Sequence, residues 1–100
     1  MESYTKLVRD NIPNILDQKG VPYEKRIASE EEYKLELIKK LNEEVLEFFD
    51  AGSPEELADV LEVIEALKKL PDYSEVEELR RKKAIERGAF DKRIILKGQK

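Results

Sequence analysis

The feature that most constrains this chain is the break "DAGSP" at residues 50–54, which lies between two helix-like runs. Ser29 followed by Glu32 is a capping-box pattern that predicts a helix from about residue 30 to 49. Ser53 as cap, Pro54 at the first helical position and Glu56 at the third predict another, ending near Leu70 before Pro71. A connection this short between two such helices predicts an antiparallel α-hairpin.

At about 100° per residue, Leu37, Leu41, Val45 and Phe48 share one face of the first helix. Leu57, Val60, Leu61, Val63, Ile64 and Leu67 form a broad apolar arc on the second. Acids interrupt both faces. Glu44 points into the first arc with Glu47 on its edge and Glu43 further out; Glu56 points into the second arc and Asp59 sits at its margin. A carboxylate on a face destined for burial carries a desolvation cost unless something neutralises it.

The residue inventory limits what that something is. The chain has no cysteine and no histidine among its 100 residues. Thiolate chemistry, disulfides, imidazole bases and the usual zinc sites are therefore excluded. Chemistry here must run on carboxylates, Lys, Arg, Tyr, hydroxyls or a hard cation. Glu44 with Glu47, and Glu56 with Asp59, are each three residues apart and so are helix-face neighbours. Four converging carboxylates repel one another unless cations join them. All-oxygen ligation selects a hard ion, Mg²⁺ or alternatively Mn²⁺. Taken singly, a Glu-x-x-Glu pair is ordinary solvated helix surface, and Glu56 has a purely structural use in the capping box.

Elsewhere, "RDNIPNILDQKG" predicts a short helix capped by Asp10 or Asn11 and stopped by Gly20, and residues 74 to 88 predict a further helix. Residues 22–28 and 92–97 suggest a small two-stranded β element. The expected fold is mainly α, in one domain spanning 1–100, with the hairpin forming a four-helix bundle on oligomerisation. The apolar arc of the second helix is wider than one partner helix covers, which predicts a homodimer or higher oligomer with Val60, Ile64 and Leu67 at or near the interface. The net charge of −4 speaks against nucleic acid as the main partner, and no apolar signal core or membrane-length run occurs, so a cytoplasmic location is expected.

"KLNEEVLEFF" followed by "EELADVLEVIEAL" resembles the Glu-Glu-x-x-Glu … Glu-x-x-Asp signature of the all-α NTP pyrophosphohydrolases, the MazG-like superfamily. "YTKLVRDNIP" and "RKKAIERGAFDKRIIL" resemble the flanks of its compact phosphoribosyl-ATP pyrophosphohydrolase-like branch. The resemblance implies that Glu44, Glu47, Glu56 and Asp59 are magnesium ligands and that Glu43 is the additional acid of the motif. It also implies cleavage of a nucleoside triphosphate to the monophosphate and pyrophosphate by a homo-oligomer. Two departures stand out. Only eight residues separate Glu47 from Glu56, fewer than in many MazG-like chains, and no Tyr-His follows Asp59 as it does in enzymes acting on phosphoribosyl-ATP.

The chemistry has its own logic. A carboxylate off the metal, Glu43 or Glu44, would act as base toward water. Lys6, Arg9, Lys83 and Arg87 are the candidates for holding phosphates. Tyr4, Tyr23 and Phe90 suit packing better than base stacking. Two alternatives are a non-catalytic helical interaction module and hydrolysis of phosphoribosyl-ATP itself.

Overall fold

The computed structural model describes residues 4–99, in the order α1 (Ile12–Lys19), α2 (Glu30–Ala51), α3 (Pro54–Lys68), a single 3₁₀ turn (Pro71–Tyr73) and α4 (Val76–Arg87). Local chemistry sets the helix limits. The Ser29 hydroxyl accepts from the Glu32 amide at 3.2 Å and the Ser53 hydroxyl from the Glu56 amide at 3.3 Å, each satisfying one orphan donor of a first turn. Glu32 does not return the bond; its carboxylate takes both guanidinium nitrogens of Arg26, at 2.5 and 2.7 Å. Pro54 opens α3. Gly52, at φ 61°, ends α2 in the left-handed region that a side chain resists, and so turns the chain into α3 within two residues. Asn11 caps α1 without a side-chain hydrogen bond, and α4 starts at Val76 after Glu75, later than Ser74 suggests.

The main packing is between α2 and α3. Leu37, Val60 and Val63 are the buried apolar side chains, with Leu41, Phe48 and Leu67 half-buried beside them. Val45, expected in this seam, is exposed. The seam centres one position round the helix from it, on the side carrying Leu37, Glu44 and Phe48. Val60 is consumed by the seam within one chain, which leaves Ile64 rather than Val60 on the outside.

A second apolar stripe remains uncovered. Ile38, Val45 and Phe49 on α2, and Leu57, Leu61 and Ile64 on α3, are all exposed. With about 100° per residue, each set lies some 90° round from the seam in the same rotational sense. For antiparallel helices that places both sets on one side of the hairpin.

The remaining elements are tied at their ends. Lys34 bridges to Asp72, and Lys68 to Glu77 at 3.3 Å, fixing the 3₁₀ turn and the start of α4 to the end of the hairpin remote from Gly52. No residue of α4 is buried. The expected two-stranded β element does not form: among the described residues there is no strand, residues 22–28 have no regular structure, and 92–97 open on a turn in which the Arg93 amide bonds to the Phe90 carbonyl at 3.2 Å with Arg93 at φ 56°. Pairing these segments would require closing a loop of more than sixty residues, and no packed layer of this chain holds the ends together. The outcome is an open molecule. Its Cα radius of gyration is 18.0 Å, against about 13 Å for a compact chain of this length. No helix among the described residues is long and apolar enough to cross a membrane.

Candidate metal centre

Glu44 is the buried charged residue of the hairpin, 8% exposed. Its position follows from the helical period: seven residues after Leu37 and four before Phe48, it cannot leave the seam without taking those side chains out as well. From the facing helix come Glu56, in the first turn of α3, and Asp59, one turn on. One carboxylate oxygen from each of Glu44, Glu56 and Asp59 lies within 4.8 Å of the other two.

Two cations approach this triad. Lys40, one turn before Glu44 on α2, places Nζ 3.4 Å from Glu44 Oε1 and 3.8 Å from Glu43. Arg9, from the segment before α1, donates Nη2 to Asp59 Oδ1 at 2.7 Å. These contacts leave a remainder. Glu44 Oε2 and Glu56 Oε2 are both buried and without a hydrogen-bond partner. The carboxylate half of the capping box is therefore not what occupies Glu56: its amide binds Ser53, and no bond returns from its side chain to the Ser53 amide. A buried carboxylate oxygen with no donor costs roughly 1–3 kcal/mol, more when charged. With three acids against Lys40 and Arg9, the group retains one negative charge.

The donor set fits a hard divalent cation: oxygen alone, from three carboxylates, with the two unpartnered oxygens on opposite helices. Glu44, Glu56 and Asp59 would hold such an ion, which would supply the positive charge that the three carboxylates lack.

The other sequence candidates divide clearly. Glu47 is exposed and lies outside the group of three, because at about 60° from Glu44 it turns away from α3. Glu43 is exposed beside Lys40. Lys6 is brought close: with Lys39, Lys40, Glu36 and Glu43 it lines a small hollow between the N-terminal segment and α2. Lys83 and Arg87 are not brought in, since α4 leaves from the far end of the hairpin, and neither forms a salt bridge among the described residues. The residue that sequence reading missed is Lys40. Its signal was present, as a base four before Glu44 and three before Glu43 on one face.

Comparison of the chain with protein-family models, with curated proteins and with solved structures gave no match.

Proposed function

We propose that this chain is a Mg²⁺-dependent nucleotide pyrophosphohydrolase, cleaving a nucleoside triphosphate to the monophosphate and pyrophosphate as a homo-oligomer. The reading rests above all on two buried carboxylate oxygens of facing helices, on Glu44 and Glu56, that lack any partner within a group of three acids. A chain does not gain stability from that arrangement, and a divalent cation supplies the compensation it lacks.

In this reading Glu44, Glu56 and Asp59 hold Mg²⁺ or Mn²⁺, and Glu47 reaches the site only by a change of rotamer or through water. The bound ion supplies charge neutralisation for the triphosphate and acidifies a water. Glu43, exposed and adjacent, would take the water's proton, with Lys40 3.8 Å from its carboxylate. Lys6 and Arg9 bind phosphate oxygens. Arg9, paired with Asp59, would be placed beside the ion to meet the substrate's negative charge. A second copy covers the apolar stripe of Ile38, Val45, Phe49, Leu57, Leu61 and Ile64, giving a four-helix bundle.

The experiment is pyrophosphate release from a panel of nucleoside triphosphates and phosphoribosyl-ATP, with and without Mg²⁺. Glu44→Gln and Asp59→Asn are expected to abolish release while circular dichroism stays unchanged. Undiminished turnover in both variants rules the site out. The uncovered apolar stripe also favours a second reading, a helical interaction module without catalysis. Absence of release from every substrate, together with no thermal response to millimolar Mg²⁺, selects that reading instead.

A further inference from the structure

The charge of this chain is strongly polarised. Residues 41–67 contain nine Asp and Glu and no Lys or Arg. Residues 79–97 contain eight Lys and Arg against Glu86 and Asp91. Within one chain the two regions do not meet: α4 begins at the end of the hairpin remote from Gly52, and none of its residues is buried. Arg80 and Arg81 are held locally by Glu77. Lys82, Lys92 and Lys97 make no salt bridge among the described residues.

The same basic arm is apolar in a way a solvated tail is not. Ile85, Phe90, Ile95 and Leu96 are each more than 80% exposed, Phe90 at 97%. The acidic end of the hairpin is its counterpart, with Leu46 uncovered between Glu47 and Asp50. Area makes the same case. The chain exposes 9766 Å², about 3,900 Å² more than the roughly 5,900 Å² expected of a folded monomer of its 11.7 kDa mass. Intimate homodimers bury on the order of 2,000–5,000 Å² in total, so the excess is large enough for a second copy to cover the arm as well as the apolar stripe.

We infer that the basic, apolar arm formed by α4 and residues 88–97 docks on the acidic loop end of the hairpin of a second copy of this chain, and that the contact is reciprocal. A two-fold pair makes such a contact twice, so every charge counts double. This inference shares with the proposed function only the presence of a second copy. Its readout is mass and affinity, so its failure is distinct from a failure to release pyrophosphate.

The test uses the full chain in two double variants, Lys82→Glu with Lys92→Glu on the arm, and Asp50→Lys with Glu55→Lys on either side of Gly52 at the loop end of the hairpin. None of these residues belongs to the candidate metal centre or to its phosphate-binding side chains. Sedimentation equilibrium at low salt is expected to give a wild-type dimer whose Kd rises with ionic strength. Each double variant, folded by circular dichroism, is expected to dimerise at least about tenfold more weakly, because like charges now face each other. Mixed in equal amounts, the two variants are expected to form a heterodimer tighter than either homodimer, seen by native mass spectrometry. The inference is overturned by a wild type that stays monomeric at 100 μM, which would leave the arm to a polyanionic partner. Reversals that leave Kd within threefold of wild type overturn it as well, as does a mixture that shows no preference for the heterodimer.

Discussion

Melting the protein with and without Mg²⁺, in wild type and in Glu44→Gln, bears most directly on the candidate metal centre. Three carboxylate oxygens lie within 4.8 Å of one another. At that distance a pair of unit charges repels by about 1 kcal/mol in water and about 3.5 kcal/mol at an effective dielectric of 20. Lys40 and Arg9 offset two of the three charges, so one negative charge remains to attract a cation. A carboxylate site of this kind, with water completing the shell, is expected to bind Mg²⁺ with Kd on the order of 1 mM. At 10 mM the native state then gains about 1.4 kcal/mol by mass action, which for about 100 residues is a rise in Tm of roughly 6–11 °C.

Glu44→Gln keeps the shape and removes one ligand charge, leaving Glu56 and Asp59 against Lys40 and Arg9. The site is then neutral, and the rise is expected to shrink to within about 2 °C. Differential scanning fluorimetry in Mg²⁺, against NaCl at matched ionic strength, reads this directly. Equal rises in both proteins would show that Mg²⁺ acts on the acidic surface at large, and the assignment of the triad would fall.

Two further outcomes follow from single contacts. Arg9→Ala frees Asp59 Oδ1 for the ion, so Mg²⁺ binding by calorimetry is expected to tighten several-fold while KM for a triphosphate rises; because the pair is largely exposed, stability should fall by no more than about 1 kcal/mol. The Arg80 guanidinium and the Lys68 ammonium beside Glu77 hold its carboxyl down from 4.5 to about 2. A depressed folded-state pKa means this contribution is fully present above the unfolded value of 4.5 and is lost as pH falls toward about 2. Glu77→Gln should therefore melt lower than wild type at pH 6, with the difference narrowing between pH 4.5 and 2. A gap that stays constant across that range would mean the Lys68 and Arg80 pairs contribute nothing to the fold.

The helices were legible because their signals are local. Ser29 and Ser53 each meet an amide three residues on, Gly20 and Gly52 each take a positive φ, and Pro54 fits a first turn, all within a few residues of chain. The placement of Glu44 in the seam was legible for the same reason, since helical period alone fixes it against Leu37 and Phe48. The start of α4 was misread at Ser74 because the 3₁₀ turn after Pro71 absorbs that serine: its amide bonds back to the Pro71 carbonyl at 3.3 Å.

What the tertiary structure alone decided is which side chains meet across long separations. Period places Glu44 and Glu47 on neighbouring lines of α2, but only the packing angle against α3 selects Glu44 and leaves Glu47 in solvent. Arg9 reaches Asp59 across fifty residues, and no spacing rule connects them. Lys83 and Arg87 carry the same charge as Arg9 yet stay away, because α4 is tethered at the opposite end of the hairpin through Lys68 and Glu77. Segments 22–28 and 92–97 read as strands in sequence, but a strand needs a neighbour. Helix hydrogen bonds close within four residues and can be read from them, whereas sheet pairing and ion pairing depend on what the rest of the chain brings alongside.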